Sequence, residues 1–310
     1  MKGKRRRVCF KGILNHCYQN TVRGDLIFYN DLDRLVFFTR FCVTARAHKV
    51  RVLSVVLMPD HLHGSYVVDN VRLLSDFVKA YTGPFAREHN QTCHRHGMFF
   101  RRHFGSSPKK GDKAARTNLI YLGNNPVERR LCRRAEEYRW SFLAYADSDH
   151  PFSEKLVVRK ASTALKKALK EVESMRKVDK PLSYNMLKRL YRPLDPVERE
   201  QLTDRIIVLY NVIDYESAIR FFGSYDQMLQ AMHASTGNEY DLNEVFVGKS
   251  DEYYAVMADI IMEEVGPEDI HDILGYSLES KYELYMLLRR KTGAPGKQIA
   301  KFLHLPMKVL

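Results

Sequence analysis

Val55-Val56-Leu57-Met58-Pro59-Asp60-His61-Leu62-His63-Gly64-Ser65-Tyr66-Val67-Val68 is an apolar run broken by two histidines one residue apart. The β-branched residues before Met58 predict a buried strand, Pro59-Asp60 a turn, and Leu62 to Val68 the returning strand of a hairpin. Successive strand side chains point to opposite faces, so His61 and His63 share one face and Leu62 takes the other. Two imidazoles side by side on a rigid strand are a divalent-metal site lacking a third ligand. The alternative is that one histidine caps the turn and the other is a satisfied sheet residue.

Working outward, Gly12 to Val22 reads as a first strand. Asp31 then precedes Leu35, Val36, Phe38, Phe41, Cys42 and Ala45 at helical spacing, a helix that ends near Lys49. After the hairpin, Leu74, Phe77, Val78, Tyr81 and Phe85 recur at threes and fours and predict a second helix over 71–90. This order predicts an α+β domain with helices laid on an antiparallel sheet. His94 to Phe104 is basic and aromatic and runs on through Gly105 to Gly111. Cations interleaved with rings suit a strand that binds single-stranded nucleic acid by phosphate contact and base stacking, or equally a half-buried strand with a solvated basic face. Cys93, His94 and His96 have no neighbour that completes a metal set.

Composition narrows the classes. The 310 residues are 45% hydrophobic, enough for a real core and two domains. A net charge of +13 and a pI near 9.4 favour a polyanionic partner, nucleic acid before others. Five cysteines without a C-x-x-C pair argue for a reducing cytoplasm and against a disulfide framework or a structural zinc module. The basic opening through Arg5, Arg6 and Arg7 is followed by no long apolar run, and no segment is apolar enough for a membrane span. A soluble, cytoplasmic, nucleoid-associated protein is expected.

A second constellation lies over 113–130. It reads as a helix stopped near Pro126, because a proline disfavours helical geometry in the residue before it. Tyr121 and Asn125 are four apart and share a face. A phenol, with a pKa of about 10, is a poor nucleophile unless a metal polarises the electrophile. Taken alone, the pair reads as a core tyrosine and a helix-end cap.

Met58-Pro59-Asp60-His61-Leu62-His63, Tyr121-Leu122-Gly123-Asn124-Asn125-Pro126 and Tyr138-Arg139-Trp140-Ser141 together resemble, in order and spacing, the three signatures of the HUH single-tyrosine transposases, specifically the REP-associated tyrosine transposases. The resemblance covers roughly residues 10 to 145. It implies a ferredoxin-like HUH domain, an antiparallel sheet with helices on one face. It implies His61, His63 and Asn125 as ligands of Mg²⁺ or Mn²⁺, and Tyr121 as the nucleophile on single-stranded or hairpin DNA. A 3′-hydroxyl would leave as a 5′-phosphotyrosine forms, and a second 3′-hydroxyl would reverse the step without ATP. Gly123 is a departure inside the tyrosine helix, weakening it by up to about 1 kcal/mol relative to alanine. Candidate DNA contacts are Arg5, Arg6, Arg7, Phe99, Arg101, Arg102, Lys109, Lys110 and Arg116.

Beyond Ser141 the resemblance fades. A boundary is expected near residue 150, with 151–310 an all-α region whose acidic stretch is either a solvated face or a surface packed on the basic domain. Residues 282–310 resemble a helix-turn-helix truncated after one turn of its last helix. All residues assigned to chemistry precede Trp140, so residues 1–150 are expected to fold alone and to cleave. Two functions stand: a transposase that cuts and rejoins single-stranded DNA, with a homodimer as one assembly, and a domesticated, non-catalytic DNA-binding or regulatory protein. Approach of Tyr121 to the histidine pair would favour the enzyme.

Overall fold

The computed structural model describes residues 7–235 and 250–306. Arg5 and Arg6 lie outside them. The first half runs β1 (Leu14–Asn20), α1 (Asp31–Ala47), β2 (Arg51–Met58), β3 (His61–Val67), α2 (Val71–Thr92), β4 (Gly105–Lys109) and α3 (Gly111–Glu128). Eight further α-helices follow among the described residues: α4 (Thr163–Lys177), α5 (Tyr184–Tyr191), α6 (Pro196–Tyr210), α7 (Tyr215–Ile219), α8 (Tyr225–Ala234), α9 (Tyr253–Glu264), α10 (Leu278–Thr292) and α11 (Gly296–Phe302). The architecture is α+β, with a helical second half. No described helix is long and apolar enough to cross a membrane, and all five cysteines are free thiols.

The sheet order is β2-β3-β1-β4, with every pairing antiparallel. That is the ferredoxin-like order produced when two βαβ halves interleave. Its hairpin register, Met58 opposite His61 and Leu57 opposite Leu62, leaves Pro59 and Asp60 as the two-residue turn. Leu62, Gly64 and Tyr66 face α1 and α2, where the Tyr66 ring meets Phe41 and Phe77 at 5.9 and 5.3 Å. Gly64 is required there, because a Cβ would overlap the Tyr66 phenol.

Helices on one face only describe the sheet incompletely. His61, His63 and Ser65 share the opposite face with His16 and Tyr18 of β1, and α3 covers it, the Ser65 hydroxyl donating to Asn118 Oδ1 at 2.6 Å. A sheet face carrying buried polar side chains needs a partner that satisfies them, and α3 presents Asn118, Tyr121 and Asn125. The helix runs through Pro126 and ends at Glu128, two residues beyond it. Proline removes one donor, whose acceptor would have been Leu122, and in a last turn that loss is small. The end is closed by Arg129 N donating to Asn125 O at 3.1 Å.

The basic aromatic stretch is not itself the strand. Thr21 and Phe100 form an isolated bridge, and β4 begins at Gly105, carrying Pro108 as an edge strand allows. Phe99, Phe100 and Phe104 are buried, and Phe99 stacks on His89 at 4.6 Å.

One apolar cluster runs through both halves, from Cys17 to Tyr210. Leu182 N donates to Thr39 Oγ1 at 3.1 Å, and Arg46 pairs with Asp179 at 2.7 Å. Residue 150 therefore does not divide the core. A chain ending there uncovers the side of α1 that α5 and α6 pack on, at about 1.5–3 kcal/mol for each large apolar side chain returned to water. Against the expectation from sequence, fragment 1–150 is expected to show no cooperative thermal transition by circular dichroism. A sharp transition in the isolated fragment would refute this.

The resemblance of 282–310 to a helix-turn-helix is altered by packing. α10 ends at Gly293, whose φ of +64° suits a residue without Cβ, and α11 follows. Ile299, Ala300 and Phe302 of α11 are buried in a cluster with Leu26 and Tyr29 of the first half. This helix docks on its own chain, and of the expected turn and helix start over 304–310, residues 307–310 lie outside the described residues.

Candidate active site

The hairpin places His61 and His63 with ring centroids 4.8 Å apart and nearly perpendicular planes. α3 then brings the second motif to them. The Tyr121 ring lies 5.6 Å from that of His63, and Asn125 Nδ2 is 3.4 Å from His63 Nε2. Asn125 Oδ1 is buried without a hydrogen-bond partner, an unusual state for an amide oxygen. The third motif is structural: the Tyr138 hydroxyl donates to Leu57 O at 2.7 Å, anchoring β2 from outside the site.

Gly123 proves to be a packing residue. A Cβ there would stand 2.6 Å from Met232 Sδ, and the adjacent Asn124 Nδ2 donates to Met232 O at 2.8 Å. The glycine lets α8 approach the back of the tyrosine helix.

Two residues of this site were not singled out from the sequence. His16 Nε2 is 3.0 Å from His63 Nδ1, the rings stacked at 5.2 Å. The alternation of His16, Tyr18 and Asn20 along β1 was the available signal, but only the β1–β3 register shows that they face His63. Asp60, read only as a turn residue, receives the His61 Nδ1–H at 2.5 Å. An ionised carboxylate only accepts, so Nδ1 carries the proton of this hydrogen bond and Nε2 is the ring nitrogen left for another partner. Burial opposes ionisation of Asp60, yet the His61 ring, its hydrogen bond and the Lys301 ammonium hold the carboxyl well below the usual range. Burial, reinforced by His61 and His16, holds His63 well below an ordinary histidine, and burial with Lys109 lowers His16 to about 3. Both are neutral at pH 7.

Among the described residues no three His, Cys, Asp or Glu side chains form a metal cluster. The donors gathered here are instead two imidazoles and one amide. They are closed in: Tyr121 is 3% exposed, His63 1% and Asn125 2%. At the rim, Tyr18 is exposed, its ring 6.4 Å from His63.

The candidate DNA contacts separate. Arg101, Arg102, Lys110 and Arg116 are exposed and Lys109 partly so. Arg101 Nε donates to Thr21 O at 3.2 Å, Lys110 sits over the Phe10 ring, and Arg7 covers Phe104 at 3.8 Å. Phe99 is buried and offers no face to a base.

No family model matches the chain, and no curated protein matches it. A solved structure described as a REP-associated tyrosine transposase bound to a REP hairpin is similar over 47% of this chain and 84% of its own, at 16% identity and a TM-score of 0.35.

Proposed function

We propose that this chain is a transposase-type endonuclease that cleaves and rejoins single-stranded DNA near hairpins through a 5′-phosphotyrosine on Tyr121. The observation that carries the reading is the meeting of two motifs some sixty residues apart, Tyr121 at 5.6 Å and Asn125 at 3.4 Å from His63. His61, His63 and Asn125 would hold Mg²⁺ or Mn²⁺, and their chemistry fits: His63 neutral, His61 with Nδ1 engaged by Asp60 so that Nε2 is the nitrogen left to ligate, and an unpartnered amide oxygen beside them. Nitrogen-rich neutral donors suit Mn²⁺ better than Mg²⁺. When bound, such an ion polarises the scissile phosphate. Tyr121 Oη attacks phosphorus in line, the Oη–P bond forms as the P–O3′ bond breaks, and the phenol gives up its proton while the 3′ oxygen takes one up and leaves as a hydroxyl. The net charge of +13 and the exposed Arg101, Arg102, Lys110 and Arg116 suit a polyanion.

A second reading, a DNA-binding protein that keeps the fold without the chemistry, is favoured by one observation: the Tyr121 side chain is buried, and a phosphodiester reaches it only after the site opens. Incubating the full chain with a library of single-stranded hairpins and Mn²⁺ separates the two. The enzyme is expected to yield strands with free 3′-hydroxyls and DNA covalently attached to protein. The doubly substituted His61→Ala, His63→Ala chain is expected to lose cleavage and divalent-ion dependence together. Hairpin binding with neither product nor adduct across the library would establish the second reading.

A further inference from the structure

We propose that Asp60 and Lys301 are positioning residues for His61, so that α11, from the far end of the chain, completes the candidate metal site. This rests on the reading of His61 as a metal ligand. Lys301 Nζ donates to Asp60 Oδ2 at 2.7 Å, and Asp60 Oδ1 accepts from His61 Nδ1 at 2.5 Å. Each carboxylate oxygen thus has one charged or ring donor, and the carboxylate is held from both sides. A ligating histidine whose second nitrogen donates to a carboxylate has its tautomer and ring orientation fixed. Lys301 extends that chain one link further.

The link is built rather than incidental. α11 is anchored by Leu26 N donating to Lys301 O at 3.4 Å and by Tyr29 Oη donating to Phe302 O at 2.5 Å. The same Leu26–Tyr29 segment grips the hairpin turn, since Ile27 N and Phe28 N donate to Pro59 O at 2.7 and 3.1 Å. The turn, that segment and α11 therefore form one stack with Asp60 at its centre, 7% exposed. Gly24 leaves room for the lysine stem, since a Cβ there would stand 3.3 Å from Lys301 Cε. Without the ammonium, the carboxylate loses the partner on Oδ2 and is held from one side only, so the imidazole that Oδ1 orients is fixed less firmly.

Two measurements on the full chain test this. Long-range ¹H–¹⁵N NMR on the wild type, at a pH where the ring is neutral, is expected to find the His61 proton on Nδ1, and a proton on Nε2 overturns the proposal without any variant. Calorimetric titration with Mn²⁺ alone is expected to show about 10- to 100-fold weaker binding for Asp60→Asn, about tenfold weaker for Lys301→Met, and near wild-type binding for Lys301→Arg. Melting temperature is recorded beside each. Folded Lys301→Met that binds Mn²⁺ as the wild type does overturns the positioning role and leaves the proposed function standing. Wild-type protein that takes up no Mn²⁺ overturns the metal reading itself, and the positioning role with it. Should Lys301→Met fail to fold, the wild-type tautomer and Asp60→Asn decide.

Discussion

Tyr121→Phe is expected to abolish hairpin cleavage and the covalent DNA adduct, a fall of at least about a thousandfold, while leaving hairpin affinity within about twofold. The substitution removes one oxygen and almost no packing area. The ring contacts with His63 and His16, at 5.6 and 5.8 Å, are ring-to-ring and survive it. Loss of a buried hydroxyl costs about 0.5–1.5 kcal/mol, too little to unfold the domain and mimic a catalytic defect. Denaturing gel electrophoresis of labelled hairpin after incubation with Mn²⁺ checks both the cut strand and the adduct. Wild-type cleavage by the Phe variant would move the nucleophile elsewhere.

His271→Gln is expected to destabilise the chain by about 3–5 kcal/mol near pH 6. His271 is buried between two carboxylates from different parts of the chain: Nε2 is 2.9 Å from Asp33 and Nδ1 is 2.5 Å from Asp269. Both acceptors being carboxylates, both ring nitrogens carry protons, and the ring is an imidazolium. Burial works against that charge, but Asp33 and the hydrogen bonds from both carboxylates lift His271 from 6.5 to about 10. Burial likewise opposes Asp33, which the His271 charge brings down from 3.8 to about 2. Asp33 also accepts from the Tyr184 hydroxyl at 2.7 Å and from the nearby Tyr29 N at 2.6 Å, so one side chain at the start of α1 ties down two distant segments, those of Tyr184 and His271.

The pH dependence follows from those shifts. A raised histidine stabilises the fold fully below 6.5, and its contribution disappears as pH climbs through about 10. A lowered carboxylate stabilises fully above 3.8, and its contribution disappears as pH drops through about 2. The contribution of this triad is therefore greatest between about pH 4 and 6.5 and declines on the alkaline side by a few kcal/mol, at about 1.4 kcal/mol per pH unit. Denaturant titrations from pH 6 to 10 check this. The wild-type midpoint should fall across that range and that of His271→Gln should not; parallel curves would refute the triad's role.

Local patterns carried much of this protein. The alternation around His61 and His63 determined a hairpin with both rings on one face, because strand geometry has a period of two wherever the strand sits. Leu35 to Ala45 and Leu74 to Phe85 determined two helices with apolar faces, and the spacing of Tyr121 and Asn125 determined that they project together. Those are short-range consequences of backbone geometry. Pro126 marked the end of the third helix to within two residues, since a proline in a last turn removes only one donor. Phe99, a candidate DNA contact by sequence, is buried because it packs on α2, whose His89 it meets.

What the tertiary structure alone decided is which distant side chains share a site. His16 faces His63 only through the β1–β3 register, and α3 covers the second sheet face only because that face holds polar groups that need partners. The Asp33–His271 pair and the Asp60–Lys301 pair each span more than two hundred residues, and nothing in the pattern around either lysine or histidine marks the acid it will meet. A buried charge is tolerable only beside its counter-charge, so these pairs are settled by how the whole chain packs. For that reason the division at residue 150, natural in the sequence, is absent from the core.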